Sequence, residues 1–349
     1  MIQIATDEDF IYIRGIPDSA AEKLNAAWLK SVKAWRLPKN TFALRELWKL
    51  YPLDTVAKIG KKVADSERKK LMLKDNYDGA DKIDERLRPY QVADIKFLEN
   101  DGNYGIFNQQ RTGKTPTALF AARNYSLNII ICPASLLLQW ESEVKNWMKD
   151  VETLVYNGTK KQREKKLNIL KSRLENGRRQ YLILSYETLR NDIDMILTIG
   201  NLKNACLIVD EAHRLKNHRT KTYKAVKALG SLVQKRLALT GTPAMNHPSD
   251  VFGILHFLYP NKFPSYWQFV ERYFYINDGY FGKEVGDWKR KDELQHVLSL
   301  ISVQRKRKDV MVWLPEKQYI TVKIEANAKQ MKAYKDMADT FVYEDENVE

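Results

Sequence analysis

From Leu87 onward, short apolar runs alternate with helical patterns, and no other feature of the chain restricts its fold so strongly. The runs cover residues 105–107, 128–132, 181–185, 206–209 and 236–239. Strands separated by helices predict a parallel sheet, because parallel neighbours need crossover connections and those crossovers cover both faces. Ligands of such a sheet lie beyond the carboxyl ends of its strands. Residues 135–149 illustrate the covering layer. Ser135 is placed to cap a helix whose Leu136, Leu137, Trp140, Val144 and Trp147 form one apolar stripe.

Three strand ends carry residues suited to phosphate chemistry. The first is Arg111-Thr112-Gly113-Lys114-Thr115, after a short apolar strand and before a helical pattern over 116–123. A bound phosphate chain needs inward backbone N–H groups at a helix N-terminus, a lysine for the β and γ oxygens, and a hydroxyl for Mg²⁺. Lys114 and Thr115 supply the last two, and Pro116 suits the first helical turn because its missing N–H would have no helical partner. The P-loop pattern asks for glycine five positions before Gly113, where this chain has Asn108. The second strand end, 207–213, places Asp210 and Glu211 directly after an apolar run, so that Asp210 can hold Mg²⁺ while Glu211 orients an attacking water. In the third, 239–243, the small residues Thr240, Gly241 and Thr242 allow close backbone approach to the other two.

Residues 1–75 carry a different pattern, strand-like at 10–16 and 32–37 and helical at 20–30 and 41–50, which predicts a small α+β unit. The charged stretch 61–70 and polar 75–84, with Gly79, offer few residues for a core and read as a connection. Residues 1–78 are therefore expected to share few core contacts with the rest. Beyond Pro243 the pattern is helical and aromatic, and Tyr266, Trp267, Phe269, Tyr273, Phe274 and Tyr275 read as the core of a small subdomain rather than a base-stacking surface.

Charge points to a partner. Lys and Arg number 58 against 44 Asp and Glu, a formal charge of +14, which favours a polyanion. Residues 160–179 hold nine basic against two acidic side chains, and 212–236 hold eight basic and none acidic. Such runs usually form solvated helix faces, but these lie between the phosphate motifs and can line a surface that grips a phosphate backbone without reading sequence. Cys132 and Cys206, each inside an apolar run, exclude a disulfide framework and a cysteine metal site. With an acidic amino terminus and no apolar stretch of membrane-spanning length, the expectation is a cytoplasmic or nuclear chain, neither secreted nor membrane-bound.

In their order, these motifs resemble those of the superfamily 2 helicases, and within them the Swi/Snf-type double-stranded DNA translocases. The similarity runs over about residues 86–335. Leu87-Arg88-Pro89-Tyr90-Gln91 looks like the family's adenine-reading segment, and Ile131-Cys132-Pro133 with Trp140 like its motif Ia. Residues 184–189 resemble motif Ib, Asp210 to His213 the DEAH box, and 239–246 the motif III sequence LTGTPxxN. Residues 304–310, then Leu314-Pro315, Gln330 and Tyr334, resemble the segment that closes the first lobe. One departure lies in the phosphate loop, which the family writes DEMGLGKT and this chain writes with Arg111 in place of a glycine. A position there with φ above zero would strain Arg111.

The resemblance implies an α/β fold: a RecA-like P-loop lobe at 86–260, with a parallel sheet and helices on both faces. A small α+β domain at 1–78, a linker at 79–85, and a helical extension at 261–349 leading toward a second RecA-like lobe complete it. Residues 13–24 and 33–38 look like the HARP-type substrate-recognition module of annealing helicases, and the rival reading is an unrelated small domain with Trp35 in its core. Carried over by motif, ATP is held by Arg88, Gln91, Arg111, Thr112, Gly113, Lys114 and Thr115, and Mg²⁺ by Thr115 and Asp210. Lys114, Asp210 and Glu211 are the catalytic set, and Thr240, Gly241 and Thr242 couple nucleotide to DNA. Ser135, Lys161, Lys165, Tyr186 and Lys216 are the implied DNA contacts. The implied activity is an ATP-dependent translocase on duplex or branched DNA that works with a second lobe bearing an arginine finger. Two alternatives stay open: a DNA-docking module that binds ATP without hydrolysing it, and the motor subunit of a restriction complex.

Overall fold

The apolar runs fold as strands buried on both faces, and alternate residues of each strand divide between two cores. The computed structural model describes residues 2–75, 83–200, 202–243, 248–279, 282–311 and 326–340. Residues 1–310 form one compact unit and 311–349 a second. The chain opens with β1 (Gln3–Thr6), β2 (Phe10–Arg14), α1 (Asp18–Leu24), β3 (Ala27–Leu29), β4 (Ala34–Pro38), α2 (Thr41–Leu50) and α3 (Asp54–Asp75). The lobe follows as α4 (Pro89–Leu98), β5 (Tyr104–Ile106), α5 (Lys114–Ala121), β6 (Leu127–Cys132), α6 (Leu137–Trp147), β7 (Glu152–Val155), α7 (Lys160–Glu175), β8 (Gln180–Ser185), α8 (Tyr186–Ile196), β9 (Ala205–Val209), α9 (Lys221–Gly230) and β10 (Lys235–Leu239). Then come α10 (Val251–Leu258), α11 (Tyr266–Tyr273), the hairpin β11 (Phe274–Gly279) and β12 (Gly282–Trp288), α12 (Lys291–Ile301), β13 (Ser302–Val303) and α13 (Arg307–Val310).

The large sheet has seven strands in the order β13-β5-β10-β9-β6-β8-β7, and every pair in it is parallel. Ile129, Ile131, Leu182, Leu184, Leu207 and Val209 pack into one core, while Ile130, Ile183, Cys206, Ile208, Leu237 and Leu239 pack into the other. That is the period-two alternation of a sheet covered on both faces. β9 and β10 separate β5 from β6, so the carboxyl ends of β5, β10 and β9 are neighbours. The RecA-like α/β expectation holds. Both cysteines are buried and unbridged, and no described helix is long and apolar enough to cross a membrane.

Residues 1–75 form the expected α+β unit, an antiparallel sheet β1-β2-β4-β3 whose Ile11, Ile13 and Leu37 pack with Leu24, Leu44 and Leu47. Two local readings are corrected. The helix expected over 20–30 stops at Leu24, because Asn25 turns left-handed at φ 53°. The chain then pairs Trp28 with Trp35 across β3 and β4, ring centroids 5.1 Å apart. The charged stretch 61–70 is no connection but the middle of α3, which buries Val56, Val63 and Glu67 and sets Leu73 against the lobe's own core. Residues 79–82 of the expected linker lie outside the described residues.

The amino-terminal unit is keyed to the α11–α12 region by buried polar groups. Arg272 and Glu293 form a bidentate pair, Arg272 Nε to Glu293 Oε1 at 2.9 Å and Nη2 to Oε2 at 2.9 Å. Asn40 Nδ2 donates to Glu293 Oε1 at 2.9 Å, and Arg272 Nη1 donates to the Leu24 carbonyl at 3.3 Å. Arg36 to Gln268 at 2.9 Å and Lys262 to Asp9 at 3.2 Å continue the seam along a cavity of about 590 Å³. Residues 1–78, expected to share few core contacts with the rest, thus meet the α11–α12 region through a polar seam beside a buried ion pair. Glu293→Ala leaves Arg272, only 8% exposed, without its carboxylate, and should lower the free energy of unfolding by about 3 kcal/mol. A urea titration showing a loss under about 0.5 kcal/mol would mean that the seam does not hold the subdomain.

Of the aromatic cluster, Phe269, Tyr273 and Phe274 are core, whereas Trp267 and Tyr275 are 39% and 54% exposed. In the second unit the described residues form one helix, α14 (Ala328–Thr340). Asn327 and Gln330 cap it reciprocally, each backbone N–H donating to the other's side-chain oxygen.

Candidate active site

The chain leaves β5 into a loop that ends at Gly113, φ +77°, where α5 begins with Lys114 and takes Pro116 into its first turn. Gly113 meets two demands. Its φ lies in the left-handed region, and a Cβ there would fall 2.3 Å from Gln91 Nε2. Gln91 is spent on this contact: its Nε2 donates to the Gly113 carbonyl at 3.1 Å and its Oε1 accepts from Arg88 N at 2.8 Å. Arg111 does sit at φ +65°, a conformation costing a non-glycine residue roughly 1 kcal/mol. The turn around it is closed by Thr112 Oγ1 donating to the Gln109 carbonyl at 2.7 Å and by Tyr90 Oη donating to the Thr112 carbonyl at 2.9 Å. Arg88 and Arg111 are exposed, and Lys114 and Thr115 are half-buried.

Asp210 and Glu211 follow β9 at the same rim. Asp210 is held on three sides: Trp140 Nε1 donates to Oδ2 at 2.9 Å, Glu211 N to Oδ1 at 2.9 Å, and Tyr186 Oη to its carbonyl at 2.5 Å. Burial pushes the Asp210 carboxyl up, against the Trp140 and Glu211 N–H bonds that stabilise its charge. Burial also lowers the Lys114 ammonium, and the carboxylates of Glu211 and Asp210 draw it back up. The lysine and both acids thus share one electrostatic site. Lys114 Nζ makes only a long contact to the Gln109 carbonyl, 3.4 Å, which a phosphate oxygen can replace. Glu211 takes φ 48°, and its Oε2 lies 3.1 Å from His213 Nδ1.

β10 delivers the third group. Thr240 is fully buried, donates its backbone N–H to the Ile106 carbonyl at 3.1 Å, and sets Oγ1 3.3 Å from His213 Nδ1 and 3.1 Å from Thr242 N. A Cβ on Gly241 would touch Gln110 Cγ at 3.4 Å and Lys114 Nζ at 3.7 Å. The end of β10 therefore abuts the phosphate loop and reaches the acidic pair through His213. Residues 244–246 of this motif, and Leu314-Pro315, lie outside the described residues.

No described cluster of three or more His, Cys, Asp or Glu can hold a metal. The donor set instead suits Mg²⁺ carried with nucleotide phosphates: one carboxylate from Asp210 and one hydroxyl from Thr115, with phosphate and water oxygens supplying the rest.

The implied DNA contacts divide. Ser135, Lys161, Lys165 and Lys216 are exposed. Tyr186 is corrected: it is 1% exposed, and its hydroxyl braces the turn between Asp210 and Glu211, so it cannot meet DNA. Ser135 does not cap α6, since it lies in a 3₁₀ turn, Ala134–Leu136, and the helix starts at Leu137. Much of the 160–179 run is structural. Arg163 pairs with Asp192, Lys166 bonds the Val155 carbonyl at 2.8 Å, and Arg173 and Arg178 hold Glu152. In 212–236, Lys235 is buried, its pKa lowered to about 8 by desolvation, while Lys216, Arg219, Lys221 and Lys224 face solvent.

Sequence reasoning missed Tyr186 as a brace and Trp140 as the donor that orients Asp210. Trp140 was visible as a helix stripe residue and as part of the motif Ia resemblance, and nothing in local spacing ties residue 140 to residue 210.

A parallel lobe with a phosphate loop, an Asp-Glu pair and a threonine turn at adjacent strand ends defines a RecA-like P-loop nucleotide-binding lobe. Residues 47–348 match the SNF2-related domain, and the chain belongs to that family, whose members use ATP. It is 30% identical over 273 residues to the probable ATP-dependent DNA helicase CHR23 of Arabidopsis thaliana, covering 72% of this chain and 24% of that one. To the DNA annealing helicase and endonuclease ZRANB3 of Bos taurus it is 26% identical over 250 residues, 68% of this chain and 22% of that one. The Sulfolobus solfataricus SWI2/SNF2 ATPase core in complex with double-stranded DNA superposes with a TM-score of 0.50 at 25% identity, covering 66% of this chain and 47% of that one. This chain thus spans no more than about a quarter of the curated relatives it matches. The family match begins at residue 47, so it leaves the HARP-like reading of residues 13–38 untouched.

Proposed function

We propose that this chain is the first lobe of an ATP-dependent, Swi/Snf-type translocase that moves along duplex or branched DNA without reading its sequence. The observation that carries the reading is the meeting of Lys114, Asp210, Glu211 and Thr240 at neighbouring strand ends inside an SNF2-related lobe. Lys114 binds the β and γ phosphates, and Gln91 exchanges its bonds to the loop for the adenine edge. Thr115 and Asp210 would hold Mg²⁺, which would supply charge neutralisation at the phosphates there. Glu211 orients the attacking water and accepts its proton. Thr240 and Thr242 link this event to the DNA surface through the rim they share with the phosphate loop. Double-stranded DNA is favoured because the similar Sulfolobus core is a complex with it, and a DNA annealing helicase stands among the relatives.

The direct test is ATP hydrolysis by the chain joined to a second RecA-like lobe, with duplex, forked and single-stranded DNA. Stimulation by duplex or forked DNA is expected. Nucleotide binding with no hydrolysis would favour the docking module, and copurification of a nuclease would favour the restriction motor. DNA affinity should fall steeply with salt, because phosphate contacts release counterions. Reversing Lys161 and Lys165 to glutamate should flatten the slope of log affinity against log salt by about 1 to 2. An unchanged slope would return α7 to a solvated face.

A further inference from the structure

The phosphate loop has an asparagine where the P-loop pattern has a glycine, and the structure shows what that residue does. Asn108 is fully buried and is absent from the residues of positive φ, so its backbone makes no demand for glycine. Both ends of its amide are used: Nδ2 donates to Asp94 Oδ2 at 2.9 Å, and Oδ1 accepts from Arg305 N at 2.8 Å. Asp94, also fully buried, receives Arg305 Nε on its other oxygen at 2.9 Å. Burial raises the Asp94 carboxyl, and Arg305 and Asn108 oppose the rise.

The bonding continues residue by residue into the loop. Phe107 N donates to the Val303 carbonyl at 2.8 Å and Gln109 N to the Arg305 carbonyl at 3.0 Å. Arg307 N donates to Gln109 Oε1 at 2.7 Å, and Arg307 Nη2 to the Gln110 carbonyl at 3.2 Å. The Gln109 carbonyl, fixed in this way, is the atom that Thr112 Oγ1 and Lys114 Nζ both contact. A shift of residues 107–110 would therefore move the turn that leads through Thr112 to Gly113, where α5 and Lys114 begin.

We propose that Asn108, Asp94 and Arg305 are positioning residues for nucleotide binding, a buried network through which the segment 303–307 sets the shape of the phosphate loop. This rests on the nucleotide reading of the site. The test is equilibrium binding of Mg²⁺ and N-methylanthraniloyl-ATP to the whole chain, with thermal unfolding measured in parallel. Asn108→Gly restores the pattern's glycine and deletes both side-chain bonds, and it should weaken binding roughly 10-fold, as loss of an orienting partner does elsewhere. Arg305→Lys keeps the charge but loses the fork and should fall between Asn108→Gly and the parent. Gln109→Ala removes an exposed side chain whose loss cannot prevent folding, and should weaken binding severalfold. Arg163→Lys likewise loses the fork of the comparable pair with Asp192 at the other end of the sheet and should cost stability without nucleotide affinity.

Asn108→Gly and Gln109→Ala chains that bind as tightly as the parent would overturn the network. So would an Arg163→Lys chain that loses as much affinity as Arg305→Lys, because the effect would then be general stability. Lys114→Ala separates the two levels of the argument: unchanged affinity there would remove the nucleotide site itself, whereas a loss there with none at Asn108 removes only the network.

Discussion

Lys114→Ala should lower DNA-stimulated ATP turnover at least ~100-fold, because an ammonium aimed at developing phosphoryl charge contributes about 3 kcal/mol or more. The structure makes the expectation specific. Burial lowers the Lys114 ammonium while Glu211 and Asp210 draw it back up, and its hydrogen bond is the long contact to the Gln109 carbonyl. Truncation therefore removes little that holds the fold, and the thermal midpoint should stay near the parent's. DNA binding should persist, since the exposed lysines at 161, 165 and 216 lie on other elements. Turnover by the variant at a third of the parent rate would sink the site assignment. Turnover should be read in the two-lobed protein, because in related NTPases an arginine from the facing element contributes ~10³–10⁵ in rate.

What could be read in the sequence was whatever is contiguous. The central strands β6, β8, β9 and β10 are runs of residues buried on both faces, and burial of that kind leaves a continuous apolar signature. β13 leaves none: two residues, Ser302 and Val303, join the sheet only because β5 offers a free edge. α3 was hidden by its charge. Its buried positions Val56, Val63 and Glu67 are spread along a helix whose other faces are solvated, so the apolar signal is sparse while lysines dominate. The same distinction holds in the site. Asp210, Glu211 and Thr240 directly follow strands, and Lys114 opens a helix after a short glycine-bearing loop, so each announces itself locally, whereas Asn108 and its partner Arg305 are 197 residues apart. Tyr186 shows the opposite failure: a motif position suited to DNA by resemblance is turned inward by its bond to the Asp210 carbonyl. Side-chain direction there is decided by the neighbouring strand, which no local pattern encodes.

The acidic pair should separate into two roles under amide substitution. Glu211→Gln keeps the shape of the side chain, and its amide can still meet His213 Nδ1, which lies 3.1 Å from Oε2 in the parent. What it loses is the capacity to take a proton from water, and general-base catalysis of that kind is worth ~10²–10⁴ in rate. The variant should hold Mg·ATP within about 2-fold of the parent affinity, since no charge-bearing contact to the metal is removed, while turnover falls by that factor. Asp210→Asn is not its equal. Both Asp210 oxygens accept N–H bonds, from Trp140 Nε1 and Glu211 N, and an amide has only one acceptor oxygen, so its NH₂ must face one of these donors. That leaves a buried N–H unpaired, at a cost of about 1–3 kcal/mol, besides removing the charge that holds Mg²⁺. Asp210→Asn should therefore lower the melting temperature and Mg²⁺-dependent nucleotide affinity together, and Glu211→Gln neither. Titrating Mg²⁺ at fixed nucleotide on both variants, with a melt of each, reads the difference. Equal losses of affinity in the two would mean that metal binding and water activation are not divided between Asp210 and Glu211.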